Sequence, residues 1–306
     1  MRWIPRHSCA SPANAPRTPR TEPVIVVLSD LHLGLAGAPS PTSLMPVLRD
    51  ATELILNGDA AETASPRVGA RAAGELARLE EAVRSRGIRW TRIEGNHDPG
   101  TGALHAWRAD GAVLVTHGHA FHPTIAPFGR HASAAARAFA EAHAAAAAAG
   151  TPEPLRSLEA ARAASRLERS LEHASSTLAT VAGMAMRPWS FPQVIGWWRI
   201  CPELAARFLE ATAPGACAEG RLMPRVIVSG HSHSPGAWHV RGTLVLNTGC
   251  FSFPARPHAA LIDAGTVSLV PLRRVRGEWR QDEASRRSWR IEELARAAAA
   301  RSTPQA

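Results

Sequence analysis

The tetrapeptide Gly95-Asn96-His97-Asp98, which follows an apolar and β-branched run at residues 88–93, decides the fold expected for this chain. The run is typical of a β-strand, and the four residues after it offer a permissive backbone, an amide, an imidazole and a carboxylate. An open α/β sheet binds its ligands at the carboxyl ends of its strands. The alternative interpretation is a turn rich in Asn and Asp. The other strand ends of the chain distinguish the two.

Four further strand ends carry groups of the same kind. The apolar runs that precede them, at 24–28, 53–56, 112–115 and 226–228, are typical of strands buried on both faces. The polar residues that follow these runs are Asp30, His32, Asp59, His117, His231 and His233. Helical spacing of apolar residues at 68–86 predicts a crossover helix between strands. The pattern indicates an α/β fold with a parallel sheet, followed after residue 236 by an antiparallel meander of short strands.

Composition indicates a globular protein and gives little information about partners. The chain has 306 residues, 45% of them hydrophobic and 20% charged, and no apolar run approaches the roughly 18 residues of a membrane span. The net charge of +9 would favour nucleic acid, but every basic side chain apart from histidine is Arg, and Lys and Tyr are absent. That skew resembles a coding bias, so the charge is a weak signal. Four scattered cysteines predict reduced thiols in a cytoplasmic protein.

The domain organisation follows from changes in composition along the chain. Residues 1–22, rich in Pro and Arg, predict a disordered tail without a signal peptide. Residues 23–284 are expected to form the main domain, with a helical insertion, or cap, at about 129–222. Residues 285–306 are expected to form a C-terminal helix and tail, with Trp289, Ile291 and Leu294 on the apolar side of the helix.

The polar strand ends together predict a metal centre. Side chains at positions i and i+2 of an extended segment point the same way, so Asp30 with His32, and His231 with His233, can each reach one crevice. Carboxylates, imidazoles and one amide oxygen suit first-row divalent ions. Seven such groups are too many for one ion and sufficient for two, with one carboxylate shared.

The motifs D-x-H, G-D, G-N-H-D, H-G-H and G-H-S-H, in this order within residues 24–250, resemble those of the calcineurin-like metallophosphoesterases. The helical insertion at about 129–222 is not part of this resemblance. It implies an α/β fold, namely a four-layer α/β/β/α sandwich of two mixed sheets with a helical cap. It also implies two divalent metal ions, with manganese expected first and iron, zinc, nickel or magnesium as alternatives.

The resemblance also implies a role for each motif residue. Asp30, His32 and His233 would bind the first metal ion, Asn96, His117 and His231 the second, and Asp59 both. His97 would protonate the leaving group as general acid, and Asp98 would hold its imidazole.

The sequence departs from the family pattern, or adds to it, at four positions. Glu62 replaces the Asp that often follows the second motif, and it is not assigned as a ligand. His119 is expected to hydrogen-bond from outside the ligand set, and His122 to contact substrate. Asn247 lies in a turn that resembles a loop bordering the crevice, although an ordinary strand-end turn is equally consistent with the sequence.

These features predict a metal-dependent enzyme that hydrolyses a phosphomonoester, phosphodiester or pyrophosphate through a metal-activated water. The substrate would be a phosphorylated small molecule or a lipid-like one, because helical lids occur in lipid-A-pathway pyrophosphate hydrolases of this family. The aromatic residues at 184–199 could cover such a substrate or merely pack the cap onto the core. Prolines at 188 and 192 are expected to interrupt this stretch before another helix at about 203–211. The alternatives are a nuclease, which the positive charge favours weakly, and an inactive binding module, which the complete ligand set disfavours.

Overall fold

Two mixed β-sheets lie face to face in the computed structural model, which describes residues 23–127, 129–174, 187–218, 223–252, 255–263 and 265–302. The expected tail at 1–22 lies outside these ranges. The seven-stranded sheet has the order β11-β10-β9-β1-β2-β3, with β12 also paired to β10. Its strands are β1 (Ile25–Leu28), β2 (Glu53–Asn57), β3 (Arg89–Ile93), β9 (His258–Asp263), β10 (Thr266–Val275), β11 (Glu278–Gln281) and β12 (Arg287–Arg290).

The five-stranded sheet has the order β4-β5-β6-β8-β7. Its strands are β4 (Ala106–Arg108), β5 (Val113–Val115), β6 (Val226–Ser229), β7 (Gly236–Val240) and β8 (Thr243–Asn247). The central pairs β5–β6 and β6–β8 are parallel, as are β1–β2 and β2–β3 in the larger sheet. The motif-bearing strands therefore end at the same edge within each sheet.

Six α-helices occur in the described residues; the first five cover the outer faces of the two sheets, and the last packs Ile291 and Leu294 against the cluster between the sheets. They are α1 (Pro41–Leu44), α2 (Gly69–Arg84), α3 (Ala132–Ala148), α4 (Leu155–Ala174), α5 (Arg187–Ala218) and α6 (Ile291–Ser302). Of the insertion, α3, α4 and α5 are described. None of the helices within the described ranges is long and apolar enough to cross a membrane.

Three apolar clusters define four layers. In β1, Val26 and Leu28 pack toward α1 and α2, whereas Ile25 and Val27 face the other sheet. Alternation along a fully buried strand explains why the run 24–28 is apolar at every position. On the far side, Leu114, Ile227 and Val245 of the five-stranded sheet pack against α3, α4 and α5. The order α/β/β/α confirms the expected fold class.

Three expectations about local structure are wrong. Trp289 lies in β12 and pairs with Val267, so the terminal helix begins only at Ile291. The late strands do not form one meander, because β7 and β8 join the smaller sheet and β9 to β12 join the larger one. Finally, residues 187–218 form one helix, although prolines at 188 and 192 led us to expect an interruption. Pro188 is tolerated because it lies in the first turn, where the N–H groups have no helical partner, whereas Pro192 lies beyond that turn and nothing in the structure explains its tolerance.

Candidate dinuclear metal centre

All seven expected metal ligands lie at the edge where the parallel strands of both sheets end. The seven-stranded sheet supplies four of them, after β1, β2 and β3, and the five-stranded sheet supplies three, after β5 and β6. Those from the larger sheet are Asp30, His32, Asp59 and Asn96, and those from the smaller sheet are His117, His231 and His233. Backbone hydrogen bonds join the loops: Asp30 N donates to Gly58 O at 3.1 Å, and Gly230 N donates to His117 O at 2.9 Å.

The backbone at these loops has a conformation that the sequence did not reveal. Asp30, His32, Asp59, His231 and His233 have φ between 48° and 64°, in the left-handed region. The expectation that Asp30 and His32 converge because their segment is extended is therefore wrong. Left-handed residues other than Gly are uncommon and cost about 1–3 kcal/mol each where the backbone is strained. Five of them in one place indicate a site whose geometry is held by the surrounding fold.

Two glycines permit the close approach of these loops. A Cβ atom at Gly95 would collide with the carboxylate and the backbone nitrogen of Asp59, and one at Gly230 would collide with the Asp30 carboxylate. Neither glycine needs a positive φ for this purpose. Gly95 is therefore required by space, because only a residue without a side chain leaves room for the neighbouring carboxylate.

The first group of candidate ligands contains Asp30, His32 and His233. Nε2 of His233 lies 3.1 Å from Oδ1 of Asp30 and 3.4 Å from Nε2 of His32. Ligand atoms of Asp30, His32 and Asp59 all lie within 4.8 Å of one another. The side chains of Asp30 and His32 are almost fully buried, whereas the His233 side chain is 40% exposed. This group therefore opens toward solvent at His233.

The second group contains Asn96, His117 and His231, and it also includes Asp59. Nε2 of His117 lies 3.3 Å from Oδ2 of Asp59 and 3.3 Å from Oδ1 of Asn96. Ligand atoms of Asp59, His117 and His231 lie within 4.8 Å of one another. The carboxylate of Asp59 thus belongs to both groups, which is the position required of a shared ligand.

Carbonyl groups fix which ring nitrogen of two histidines is free. Nδ1 of His117 donates to the Asn57 carbonyl at 2.9 Å, which leaves Nε2 to face Asp59. Nε2 of His231 donates to the carbonyl of Ile125 at 2.9 Å, which leaves Nδ1 free. A hydrogen bond at one nitrogen that sets the tautomer at the other is typical of metal-binding histidines. The donor set and its tautomers therefore fit two divalent ions.

The electrostatics of the unmetallated centre show how closely unlike charges are packed. Burial opposes ionisation of Asp59, but His117 and His97 hold the pKa of this carboxyl well below its usual range. Burial likewise opposes protonation of His117, but Asp59 and Asp30 raise its pKa to about 9. A buried carboxylate needs a positively charged partner, which the His117 imidazolium provides in the unmetallated centre. A metal cation can take the place of the proton that makes this ring positive.

Glu62, which the sequence left unassigned, holds the ring of His97. Nδ1 of His97 lies 2.9 Å from Oε1 and 3.1 Å from Oε2 of Glu62. The same carboxylate accepts from Nδ1 of His32 at 2.7 Å. Burial raises the pKa of Glu62, but hydrogen bonds from His32 and His97 lower it to about 2, so the carboxylate is ionised at neutral pH. One carboxylate thus links a candidate metal ligand to the candidate acid.

Asp98 therefore does not have the role that the family pattern implied, because it makes no hydrogen bond to the His97 ring. Its fully buried carboxylate accepts backbone N–H bonds from Gly95 at 2.6 Å and from Asp59 and Ala60 at 3.1 Å each, and it pairs with Arg92 at 3.1 Å. Asp98 fixes the loop of the third motif to that of the second. The sequence showed an acidic residue, Glu62, three positions after the shared Asp59, but not which carboxylate would face the His97 ring.

The other three candidate residues lie in different surroundings. His119 is 1% exposed, and neither ring nitrogen has a hydrogen-bond partner within the described residues, so the expected hydrogen-bonding role is not seen. Asn247 donates to the Gly230 carbonyl at 2.6 Å and accepts from Gly249 N at 2.9 Å, and so supports the G-H-S-H loop from below. His122 accepts from the hydroxyl of Thr124 at 2.7 Å.

The helical layer touches the centre at two places. On α5, the indole of Trp198 donates to the Ser232 carbonyl at 2.6 Å, and the Trp197 ring lies between those of His122 and His231, at 5.2 Å and 6.3 Å. The expected aromatic patch is described only in part, because the side chains at 184–191 lie outside the described set. These contacts place α5 against the loop that carries His231.

On α4, Arg169 reaches the candidate acid. Its Nη1 lies 3.4 Å from Nδ1 of His97 and 2.6 Å from Oε2 of Glu172, and its Nε is buried without a partner in the described part of the chain. Farther along the same helix, Arg162 pairs with the buried Glu94 at 2.7 Å. The helix is thus tied to the strand end that precedes the G-N-H-D motif. Periodicity alone could not have revealed which arginines face inward.

A cavity of about 700 Å³ lies elsewhere. It opens beside β3 and is lined by Glu53, Arg89 and Arg108 among others, and it contains none of the motif residues. Glu53 pairs with both arginines, so ion pairs within the fold explain why charged side chains line this cleft. The candidate ligands lie at the strand ends instead.

No protein-family model and no curated protein sequence matches the chain. Among solved structures, a predicted phosphoesterase from Streptococcus pneumoniae TIGR4 is 14% identical, with 88% of this chain and 98% of that one covered and a TM-score of 0.39. Vacuolar Protein Sorting 29 from Cryptosporidium parvum is 11% identical, with coverages of 88% and 98% and a TM-score of 0.39. A dimetal phosphatase from Danio rerio is 8% identical, with coverages of 85% and 98% and a TM-score of 0.40.

At these identities and TM-scores the neighbours indicate nothing about activity. The chain has a two-sheet α/β/β/α fold, and the motifs that resemble those of the calcineurin-like metallophosphoesterases lie at its strand ends.

Proposed function

We propose that this protein is a dinuclear-metal phosphohydrolase acting on a phosphomonoester, phosphodiester or pyrophosphate. One observation carries the proposal: seven candidate ligands from two sheets converge at one edge, five of them on left-handed backbone. Such strain without a functional role would be selected against, because each strained residue costs stability. The buried Asp59, shared by both ligand groups, supports two ions rather than one.

The assignment of the ligands follows the two groups described above. The first ion would be held by Asp30, His32 and His233, the second by Asn96, His117 and His231, and both by Asp59. Two divalent ions, when bound, lower the pKa of a bridging water and neutralise charge on the phosphoryl oxygens. Manganese is the first candidate and iron, zinc, nickel and magnesium are the others.

The chain's own acid would be His97. Its side chain is 29% exposed, so a substrate can reach the ring, and it lies beside the candidate ligands, with its ring centroid 5.0 Å from that of His32. With Nδ1 held by Glu62, Nε2 is the nitrogen that can give a proton to the leaving-group oxygen. Glu62 keeps the imidazole oriented, and Asp98 fixes the loop that carries it.

The surroundings of His97 favour an anionic substrate with a group that extends toward the helices. Arg169 provides a positive charge beside the His97 ring, 3.4 Å from its Nδ1, and the Trp197 ring contacts that of His231 in the second ligand group. We therefore retain a phosphorylated small molecule or a lipid-like phosphate as the substrate class. The cysteines at 201 and 250 are free, which supports a reducing, cytoplasmic location.

The test compares three variants of the full chain. Asp59→Asn should lose metal binding and turnover together, whereas His97→Asn should keep both ions and lose activity. The loss in His97→Asn should be larger for an alkyl phosphate than for a p-nitrophenyl ester, because a good leaving group needs less protonation. His239→Asn, at an exposed position on β7, is the matched control.

The outcomes that refute the proposal are definite. A protein that takes up no metal and is inert toward bis-p-nitrophenyl phosphate with manganese would be a binding module. Equal losses on both leaving groups would remove the acid role from His97 while leaving the metal centre in place.

A further inference from the structure

Cys250 lies at the first ligand group, although the sequence suggested only a small buried hydrophobic residue. It follows β8 after the turn at residues 247–249, in which Gly249 has a φ of 70°. The turn brings the thiol against the first motif: Sγ lies 3.4 Å from the Asp30 carbonyl oxygen, and the next backbone N–H, from Phe251, donates to the same oxygen at 3.3 Å. Cys250 itself is completely buried.

The sulfur atom faces two imidazoles that already belong to the centre. Sγ of Cys250 and one nitrogen each of His32 and His233 lie within 4.8 Å of one another. The same two rings approach each other at Nε2 to 3.4 Å, and His233 contacts Asp30 at 3.1 Å. The thiol therefore borders the space enclosed by the first ligand group. Within the described residues, no cysteine belongs to the group of possible ligands that contains Asp59, His117 and His231.

We propose that Cys250 binds the first metal ion as a thiolate, beside Asp30, His32 and His233. The proposal rests on the proposed function and deepens it, because it makes the two metal sites chemically different. A ligand set with sulfur selects zinc, iron or cobalt over magnesium and manganese, whereas the second group offers only nitrogen and oxygen. On binding, the thiol releases its proton to solvent and forms the metal–sulfur bond.

The local contacts allow this change. The Sγ–H bond to the Asp30 carbonyl is long and would be exchanged for the metal bond, while the Ser252 N–H, at 3.3 Å from Sγ, would still donate to the thiolate. An N–H bond to a metal-bound sulfur is the usual support for such a ligand. The Asp30 carbonyl keeps the N–H of Phe251.

Cobalt(II) tests the proposal directly, because thiolate-bound Co(II) has a charge-transfer band in the near ultraviolet. The metal-free protein is titrated with CoCl2 under reducing, anaerobic conditions. We expect two equivalents to bind and one thiolate band to develop. Cys250→Ser should lose the band, and its zinc affinity at one site should fall at least about tenfold, while the second site is unchanged. Cys201→Ser, which removes the other described thiol, should leave the band intact.

A reciprocal variant guards against misfolding of Cys250→Ser. The triple variant C9S/C201S/C217S keeps Cys250 alone, and it should retain the full band. X-ray absorption of its zinc form should show one sulfur at about 2.3 Å at one of two sites.

Three results would overturn the proposal. Binding of two cobalt ions without a thiolate band would refute the role of Cys250 and leave the phosphohydrolase intact. A band that survives in Cys250→Ser would assign the sulfur to another residue. Failure to bind any cobalt would refute the metal centre itself, and so both proposals.

Discussion

Glu62 is the residue whose replacement separates metal binding from catalysis most cleanly. Its carboxylate accepts from His32 at 2.7 Å and from His97 at 2.9 Å, both at Nδ1. Glu62→Gln keeps the shape but removes the negative charge and replaces one acceptor oxygen by an NH2 group. The shortest contact is from His32 to Oε1, so we expect the amide oxygen to stay in that position. The NH2 group then takes the place of Oε2, 3.1 Å from Nδ1 of His97, where two donors face each other, and the His97 ring loses its anchor.

The expected magnitude follows from that one lost contact. A hydrogen bond to a charged group contributes about 1.5–3 kcal/mol, which corresponds to roughly a 10- to 100-fold lower kcat/KM if it acts in the transition state. Metal content should remain at two ions, measured by elemental analysis after gel filtration. Glu62→Ala removes both contacts and should also weaken metal binding, by about 10- to 100-fold.

A matched control and a leaving-group comparison complete the assay. Glu53→Gln replaces another buried carboxylate, one that pairs with Arg89 and Arg108 away from the centre, and should lower stability without changing turnover per folded molecule. The loss in Glu62→Gln should be larger for an alkyl than for a p-nitrophenyl leaving group. Turnover equal to that of the unmodified protein, or loss of metal in proportion to activity, would refute the reasoning.

Three other replacements test separate contacts. Gly95→Ala should abolish metal binding, because a Cβ atom there meets the shared carboxylate of Asp59. The control, Gly74→Ala, lies in open space on α2 and should raise the free energy of unfolding by about 0.5–1 kcal/mol. Equal effects of the two replacements would contradict this. Arg169→Ala should lower kcat/KM about tenfold, and Arg169→Lys should recover part of that loss. Arg207→Ala, which replaces an exposed arginine of α5, should leave kcat/KM unchanged. An unchanged rate in Arg169→Ala would exclude its guanidinium from the site. Trp198→Phe should cost about 1 kcal/mol in urea unfolding through its lost indole hydrogen bond, and an unaltered midpoint would show that this bond contributes nothing.

The sequence predicted the centre well wherever a motif follows a strand that is apolar along its length. Parallel strands end at a common edge, so a linear pattern was sufficient to predict that the motif loops following β1, β2, β3, β5 and β6 would meet. Periodicity also separated the helical layer from the sheets.

Long-range contacts could not be predicted in this way. The exchange of roles between Asp98 and Glu62 depends on which carboxylate points at an imidazole, and a motif spacing contains no such information. The placement of Trp289 in β12 reflects pairing with β10, a partner that is distant in sequence and overrides local helix propensity. The left-handed backbone at Asp30 and His32 arises from the packing of two loops, each unremarkable alone.

The division of ligands between the sheets has a consequence for how the molecule unfolds. Each proposed ion would take ligands from both sheets: the first from Asp30 and His32 on one and His233 on the other, the second from Asn96 on one and His117 and His231 on the other. The ions would then act as cross-links between the two halves of the sandwich. Chelation should therefore loosen the contact between the sheets, and an ion at 100 times its dissociation constant would add about 2.7 kcal/mol to the free energy of unfolding.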